Sequence, residues 1–352
     1  MISESSKEDK ARSVAIDRRL KQDSRGLCQN VKVLLFGLED SGKDAMVKHM
    51  KLKSANGYTR SELIEWRQMI KAKLLRNVFV LLDAMEQCGI EPGNESNISH
   101  CEFLMRCRLD NPMNGRLDFH IGVAIQALWN DPCMAKVLKH SAGTDYTLDG
   151  EARYLFEQTS RIVQPHYEPT VEDILRTNDE SRGIRETDFV FETFQMTIFD
   201  INTRQLGEQQ KWIHAFETVT SIMFVVDLAD YESIHSDHDS GGMTESLTLF
   251  DSMVNSRWFS RSSVILFLTN MHAFRNKLLR TPFSSYFPDY TGPDDAAAIL
   301  QYIIKRFNAC NRCHLDFFPH VLELSDPVSL KLLLKAVQET TVNNALRTLG
   351  KI

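Results

Sequence analysis

No segment of this 352-residue sequence is an apolar run of about 18 residues, the length a membrane-spanning helix needs. The first residues, MISESSKEDK, also lack the apolar core of an export signal. The expectation is a chain that neither spans a membrane nor is exported. A surplus of basic charge is missing too. Forty-one Lys+Arg face 47 Asp+Glu, a formal charge of −6 at pH 7, so no broad positive field grips nucleic acid and none is expected as a partner. Seven cysteines cannot all pair with one another, and a chain of this size needs no staples, so a reducing cytoplasm fits best. Cys310, Cys313 and His314 spell C-x-x-C-H without a second cysteine pair at metal-ligand distance, and they read as ordinary thiols near a helix end. His235 and His238 read as part of a solvated loop. Asn94 and Asn97 match a glycosylation pattern that a cytoplasmic chain does not use.

What is present is an average globular composition, 43% hydrophobic and 25% charged. At roughly 150 residues per domain the length suggests about two domains. Residues 1–25 are highly charged and read as a lone polar helix that needs a partner to lie on. Val31 to Phe36 is a short apolar run that stops at Gly37, a buried strand feeding a glycine turn, and a helix follows from Lys43 to about Leu52. From Arg60 to Met85, Leu63, Trp66, Ile70, Leu74, Val78, Leu81 and Met85 step by three or four, which predicts one long amphipathic helix. Helical patterns continue at Ile121–Leu128, Ala152–Val163 and Val171–Leu175. Strand patterns then take over: Phe189–Phe194, Met196–Ile201, Ser221–Leu228, Val264–Leu268 and His320–Leu324. The fold class is therefore α/β, a doubly wound and mostly parallel sheet. Its first strand precedes the helical block and the others follow it, so an all-helical domain, residues 59–177, is inserted into an α/β domain of residues 26–58 and 178–352.

Gly37, Leu38, Glu39, Asp40, Ser41, Gly42 and Lys43 match G-x-x-x-x-G-K between a strand and a helix, the context of a phosphate-binding loop. The glycines let backbone N–H groups curl around a phosphate, the helix N-terminus adds its positive end, and Lys43 supplies a point charge. Position 44 departs from the pattern. Ser or Thr there would ligate Mg²⁺ through a neutral hydroxyl, whereas Asp44 sets a carboxylate beside the phosphates. At ~4 Å that repulsion is worth about 4 kcal/mol at an effective dielectric of about 20 unless a metal intervenes.

These residues belong to longer strings: SSKEDKARSVAIDRRLKQD, VKVLLFGLEDSGKDAMVKHMKL, LWNDP, RIVQPHYEPTVEDILRT, GIRETDF, FDINTRQLGEQQKWIHAFE, LADY, LTLFDSMVNSRWF and SVILFL. Together they resemble the α subunits of heterotrimeric G proteins nearly end to end. The resemblance implies a phosphate-loop GTPase-type domain that holds GDP and a Gβγ dimer at rest, exchanges to GTP at a G-protein-coupled receptor, signals to an effector and resets by hydrolysis. It places the nucleotide on the phosphate loop and on Leu175, Arg176, Thr177, Asp200, Asn270 and Leu324. It places Mg²⁺ at Asp44 and Ser181, with Asp200 in its outer shell, and the water-orienting role near Gln205.

Several matched positions differ from what the resemblance requires. Asn178 stands where an arginine would offset charge on the transferring phosphate, a contribution of about 10³–10⁵ in rate. Thr203 replaces a glycine that meets the γ-phosphate, and Gln205 is displaced by one residue. Thr269-Asn270-Met271-His272 has no carboxylate for the guanine base, and a neutral imidazole cannot accept two N–H bonds at once. Ile2, Ser3 and Leu349 stand at positions where acyl-chain acceptors occur, so any stay at the inner face of the plasma membrane is expected through partners.

The reading that follows is an α-subunit-like transducer. It keeps surfaces for Gβγ (the N-terminal helix and Gly207–Glu217) and a receptor (Pro327–Ile352), but binds GTP and GDP weakly and barely hydrolyses GTP. Two alternatives stand beside it: a working GTP-hydrolysing switch with Gln205 shifted into place, and a nucleotide-free scaffold in which Lys43 pairs with Asp44 or Glu39.

Overall fold

The computed structural model describes residues 31–38, 41–110, 117–141, 150–178, 184–191, 195–201, 219–232, 242–323 and 326–348. The expected N-terminal helix, Glu39, Asp40, Ser181, Thr203, Gln205, Gly207–Glu217, His235, His238, Leu324 and Leu349 lie outside the described residues.

In chain order the elements begin with β1 (Val31–Gly37), α1 (Lys43–Lys53), α2 (Arg60–Cys88), α3 (Glu95–Asp110), α4 (Phe119–Trp129), α5 (Met134–Ser141), α6 (Gly150–Glu157), α7 (Thr159–Ile162) and α8 (Val171–Arg176). They continue with β2 (Ile184–Val190), β3 (Gln195–Ile201), β4 (Ser221–Asp227), α9 (Gly242–Val254), β5 (Ser263–Thr269), α10 (Met271–Leu278), α11 (Ala296–Cys310), β6 (Phe317–Val321) and α12 (Pro327–Thr348). The chain divides into two units, residues 1–57 with 181–352 and residues 58–180.

The first unit is a six-stranded sheet of order β2-β3-β1-β4-β5-β6. Every described pairing is parallel except β2 with β3. Its central strands read as unbroken apolar runs because both faces are covered. Leu34 and Phe36 of β1 join Phe224, Phe250 and Phe307 in one core. Val33 and Leu35 point the other way, joining Met46 and Met50 of α1 and Leu333 and Val337 of α12. Alternation along one strand thus feeds two cores, which makes the sheet doubly wound.

Two strand expectations needed correction. The strand placed at Phe189–Phe194 starts at Ile184 and ends at Val190. It is the antiparallel edge, whose polar run Arg185–Asp188 hid the pattern. The strand placed at His320–Leu324 is Phe317–Val321, an edge strand that tolerates Pro319.

The second unit is all helical among the described residues. Its long helix α2 starts from a reciprocal cap: the Glu62 main-chain N–H donates to the Thr59 hydroxyl at 3.3 Å, and the Thr59 N–H donates to the Glu62 carboxylate at 2.6 Å. Trp66, Ile70, Leu74, Val78, Leu81 and Met85 form its buried stripe. The stretch read as one helix at Ala152–Val163 is two, α6 and α7. Asp173, fully buried, pins the end of the unit. Its carboxylate accepts from Tyr154 at 2.8 Å, Tyr167 at 3.0 Å, Arg161 at 2.5 and 2.8 Å and the Thr170 main chain at 2.7 Å. Burial alone would raise its pKa, but the Arg161 guanidinium and the other donors hold it well below the ordinary carboxylate range.

Candidate functional site

The parallel strands β3, β1, β4, β5 and β6 all deliver their carboxyl ends to one edge of the sheet, and the chain reverses its direction of winding at β1. Such an edge is where open α/β sheets hold ligands. The G-x-x-x-x-G-K loop leaves β1 there. Gly37 lies against β4 so closely that a Cβ would stand 2.5 Å from the Val225 carbonyl oxygen and 2.7 Å from Ser41 Oγ. The loop closes on itself, the Ser41 hydroxyl donating to the Leu38 carbonyl at 2.7 Å. Gly42, at φ 87°, turns the chain into α1 in a conformation that side chains resist. The Thr269 hydroxyl donates to the Ser41 carbonyl at 3.0 Å, tying the loop to the end of β5.

Lys43 follows, its side chain only 8% exposed. Leu35 of β1 is in register with Asp200 of β3, so the lysine that returns at the head of α1 reaches the neighbouring strand. Its ammonium donates to Asp200 Oδ1 at 2.7 Å and to the Ile201 carbonyl at 3.1 Å. The scaffold alternative paired Lys43 with Asp44 or Glu39; Asp44 pairs elsewhere, Glu39 lies outside the described residues, and the described carboxylate on Lys43 is Asp200. Asp44 instead turns down its own helix, its Oδ2 2.5 Å from the Lys48 ammonium, a side chain only 3% exposed. The contact is an ion pair without the alignment of a hydrogen bond.

Along the same edge, Asn270 adopts φ 59° at the start of α10, and its amide donates to Asp227 Oδ2 at 2.7 Å. Burial pushes the Asp227 carboxyl up, against the bonds from Asn270 and the Ala229 main chain. The His272 main-chain N–H donates to a Glu323 carboxylate oxygen at 3.3 Å, so Glu323 stands at the head of α10. Leu175, Arg176 and Thr177 belong to the helical unit. Arg176 pairs with Glu172 and lies over the Tyr154 ring at 5.0 Å, and Asn178 beyond them is exposed. Cys310 and Cys313 are free thiols, and among the described residues no group of three or more His, Cys, Asp or Glu is placed to hold a metal ion.

Thus the described edge brings together Gly37, Leu38, Ser41, Gly42, Lys43, Asp44, Asp200 and Asn270. Lys48 and Asp227 were not picked out from the sequence, and Thr269 and Glu323 were given no role there. Lys48 alone had a local signal, four residues after Asp44 on one helix face.

The residues fit the two ligands of such a site unequally. A loop a Cβ would obstruct, a left-handed glycine at a helix N-terminus and a buried lysine suit a phosphate. Asp44 and Asp200, the described carboxylates beside the loop, suit a divalent cation less well, because each is engaged by a lysine.

This strand, glycine loop and helix at the carboxyl edge of a mostly parallel sheet have the architecture of a phosphate-loop domain, interrupted here by a helical unit. A family model described as G-protein alpha subunit matches residues 10–341. The chain is 41% identical over 345 residues to the guanine nucleotide-binding protein alpha-3 subunit of Neurospora crassa, covering 97% of this chain and 96% of that protein. It is 37% identical over 351 residues to the alpha-3 subunit of Mycosarcoma maydis (99% and 98% covered). It is 35% identical over 355 residues to the guanine nucleotide-binding protein subunit alpha of Cryphonectria parasitica (100% and 99% covered). The chain belongs to the G-protein α-subunit family, signal transducers that generally bind GTP or GDP with Mg²⁺ and act with Gβγ, receptors and effectors. Among the described residues no helix is long and apolar enough to cross a membrane.

Proposed function

We propose that this chain is a G-protein α-subunit transducer whose partner surfaces outlast its nucleotide chemistry: it holds GTP and GDP weakly and hydrolyses GTP slowly. The phosphate end of the site supports binding, through Gly37, Gly42 and the buried Lys43. The observation that carries the weakness is the treatment of its carboxylates, Asp44 on Lys48 and Asp200 on Lys43. Phosphate must take Lys43 from Asp200, and the side chain at position 44 brings negative charge where a hydroxyl would bring none. His272 adds to this at the base, and Asn178 removes the cationic side chain that would offset charge during transfer.

When bound, a guanine nucleotide supplies the phosphoanhydride bond. This chain's part is to orient it: loop N–H groups and the α1 N-terminus face the phosphates, and Lys43 balances their charge. The receptor surface proposed for Pro327–Ile352 shares a core with the helix that loop leads into, since Leu333 and Val337 of α12 pack with Met46 and Met50 of α1. Gβγ is assigned to the N-terminal helix and Gly207–Glu217. A scaffold that never takes nucleotide draws support from the same Lys43–Asp200 bridge.

Titration calorimetry of the full chain with GDP and a non-hydrolysable GTP analogue separates these readings. Kd values of about 1 μM or weaker are expected, tightening at least about tenfold in His272→Asp. Stoichiometric co-purifying GDP with brisk phosphate release overturns the proposal in favour of a working switch. Absence of any heat or thermal shift overturns it in favour of the scaffold.

A further inference from the structure

We propose that Glu323 reads the base in this site, its carboxylate accepting the ring N–H and the exocyclic amino group of guanine in place of a side chain from position 272. The inference rests on the weak-nucleotide reading above and names the source of its selectivity.

The sheet sets the place of the base. Phosphate faces the loop after β1, and β5 lies two strands away, about 10 Å at the usual spacing of neighbouring strands. A phosphate and a ribose fill such a gap, so the base falls at the ends of β5 and β6. Thr269 ties the end of β5 to the loop through its bond to the Ser41 carbonyl at 3.0 Å. Asn270, at φ 59°, turns the chain into α10, and His272 follows two residues later with an exposed side chain. Glu323 comes to the same point from β6. The main-chain N–H of buried Leu322 donates to the Leu268 carbonyl at 2.8 Å, and the Asp326 N–H donates to the Glu323 carbonyl at 2.9 Å. The backbone of Glu323 is thereby held, and its carboxylate accepts the His272 N–H at 3.3 Å.

Guanine presents two adjacent N–H donors on its pairing edge. A carboxylate has two oxygens and about four lone-pair sites, so capping α10 and receiving the base are compatible. Adenine turns a ring-nitrogen acceptor to the same place, where it meets a carboxylate with no proton between them. Asp227, also beside the head of α10, is committed inward: Oδ2 accepts from the Asn270 amide at 2.7 Å and Oδ1 from the Ala229 N–H at 2.7 Å. Glu323 is half-buried, and its bond to His272 is open to solvent. Water competes at such a place, so this carboxylate selects the base without binding it tightly.

The test is titration calorimetry of the full chain with GDP, ADP and xanthosine diphosphate, beside Glu323→Gln. The amide keeps an acceptor for the His272 N–H but offers the base one acceptor and one donor, which suits xanthine, whose carbonyl replaces the amino group of guanine. Wild type should prefer GDP to ADP by at least about tenfold. Glu323→Gln should lose that factor for GDP, hold ADP within about twofold and bind xanthosine diphosphate at least about tenfold more tightly than wild type does. Equal losses for all three nucleotides, or an unchanged ratio of GDP to ADP affinity, overturn the inference. If Glu323→Gln does not fold, Glu323→Asp replaces it and must show the loss for GDP alone. Equal and weak binding of GDP and ADP by wild type overturns this inference and leaves the weak-nucleotide reading standing. Tight GDP binding whose preference over ADP disappears in Glu323→Gln does the reverse, and no binding of any nucleotide overturns both.

Discussion

Lys43 and Asp200 are separated by 157 positions in the sequence and by 2.7 Å between ammonium and carboxylate. The bridge joins the head of α1 to the end of β3, so one lysine both braces the sheet edge and faces the place of a phosphate. Lys43→Ala should therefore do two things at once. Nucleotide affinity should fall at least about tenfold by fluorescence titration. Stability without nucleotide should fall by about 3 kcal/mol in urea, because a partly buried carboxylate loses its partner. An affinity loss with no stability loss would mean that the bridge contributes nothing to the resting fold.

Asn178 is exposed at the end of the helical unit, one residue after Thr177. Asn178→Arg should raise single-turnover phosphate release by at least about tenfold, a fraction of the roughly 10³–10⁵ that a well-placed arginine supplies. An unchanged rate at saturating GTP would show that the slow step lies elsewhere.

Gly37 has a backbone oxygen 2.5 Å from where a Cβ would sit, whereas Gly150 has nothing within 4 Å. The Val225 carbonyl belongs to a central strand and cannot step aside. Gly37→Ala should cost about 1–3 kcal/mol, and Gly150→Ala should change stability by less than about 0.5 kcal/mol. Thermal melts of the two variants check the contrast, and equal melts would refute it.

Asp173 titrates below its ordinary value because Arg161, Tyr154 and Thr170 favour its ionised form over the penalty of burial. In the unfolded chain it takes up a proton near pH 4, so between that value and its lower folded pKa the unfolded state binds more protons, and stability rises with pH. The contribution is complete above about pH 4 and is lost as pH falls toward the folded value. Asp173→Asn should lower the stability of the helical unit by about 3 kcal/mol at neutral pH and flatten its acid dependence. Urea midpoints measured across the acid range report both. A variant with the wild-type acid slope would assign that slope to other groups.

Much of the architecture was legible because its signals are local. The spacing of Gly37, Gly42 and Lys43 after an apolar run announces a phosphate loop, and the three-to-four step from Leu63 to Met85 announces α2. Helix α3 escaped notice because its start is held from afar: Asp131 accepts from the main-chain N–H groups of Gly93 and Asn94 at 2.8 and 3.1 Å and from the Asn97 amide at 2.7 Å. The Asp44–Lys48 pair was within reach of sequence reasoning, since i and i+4 always share a helix face. The choice of Asp200 as the partner of Lys43 was not, because it depends on which strand lies beside β1 and in what register.

Residue order by itself determined the kinds of element, the interruption of the sheet by a helical insertion, and the family, since these rest on periodicity and on strings of neighbouring residues. Only the tertiary structure decided how the charges at the sheet edge are shared, with Lys43 on Asp200, Asn270 on Asp227 and Thr269 on Ser41. Ion pairs and hydrogen bonds act over a few ångströms, and strand pairing alone brings those distant residues within that range.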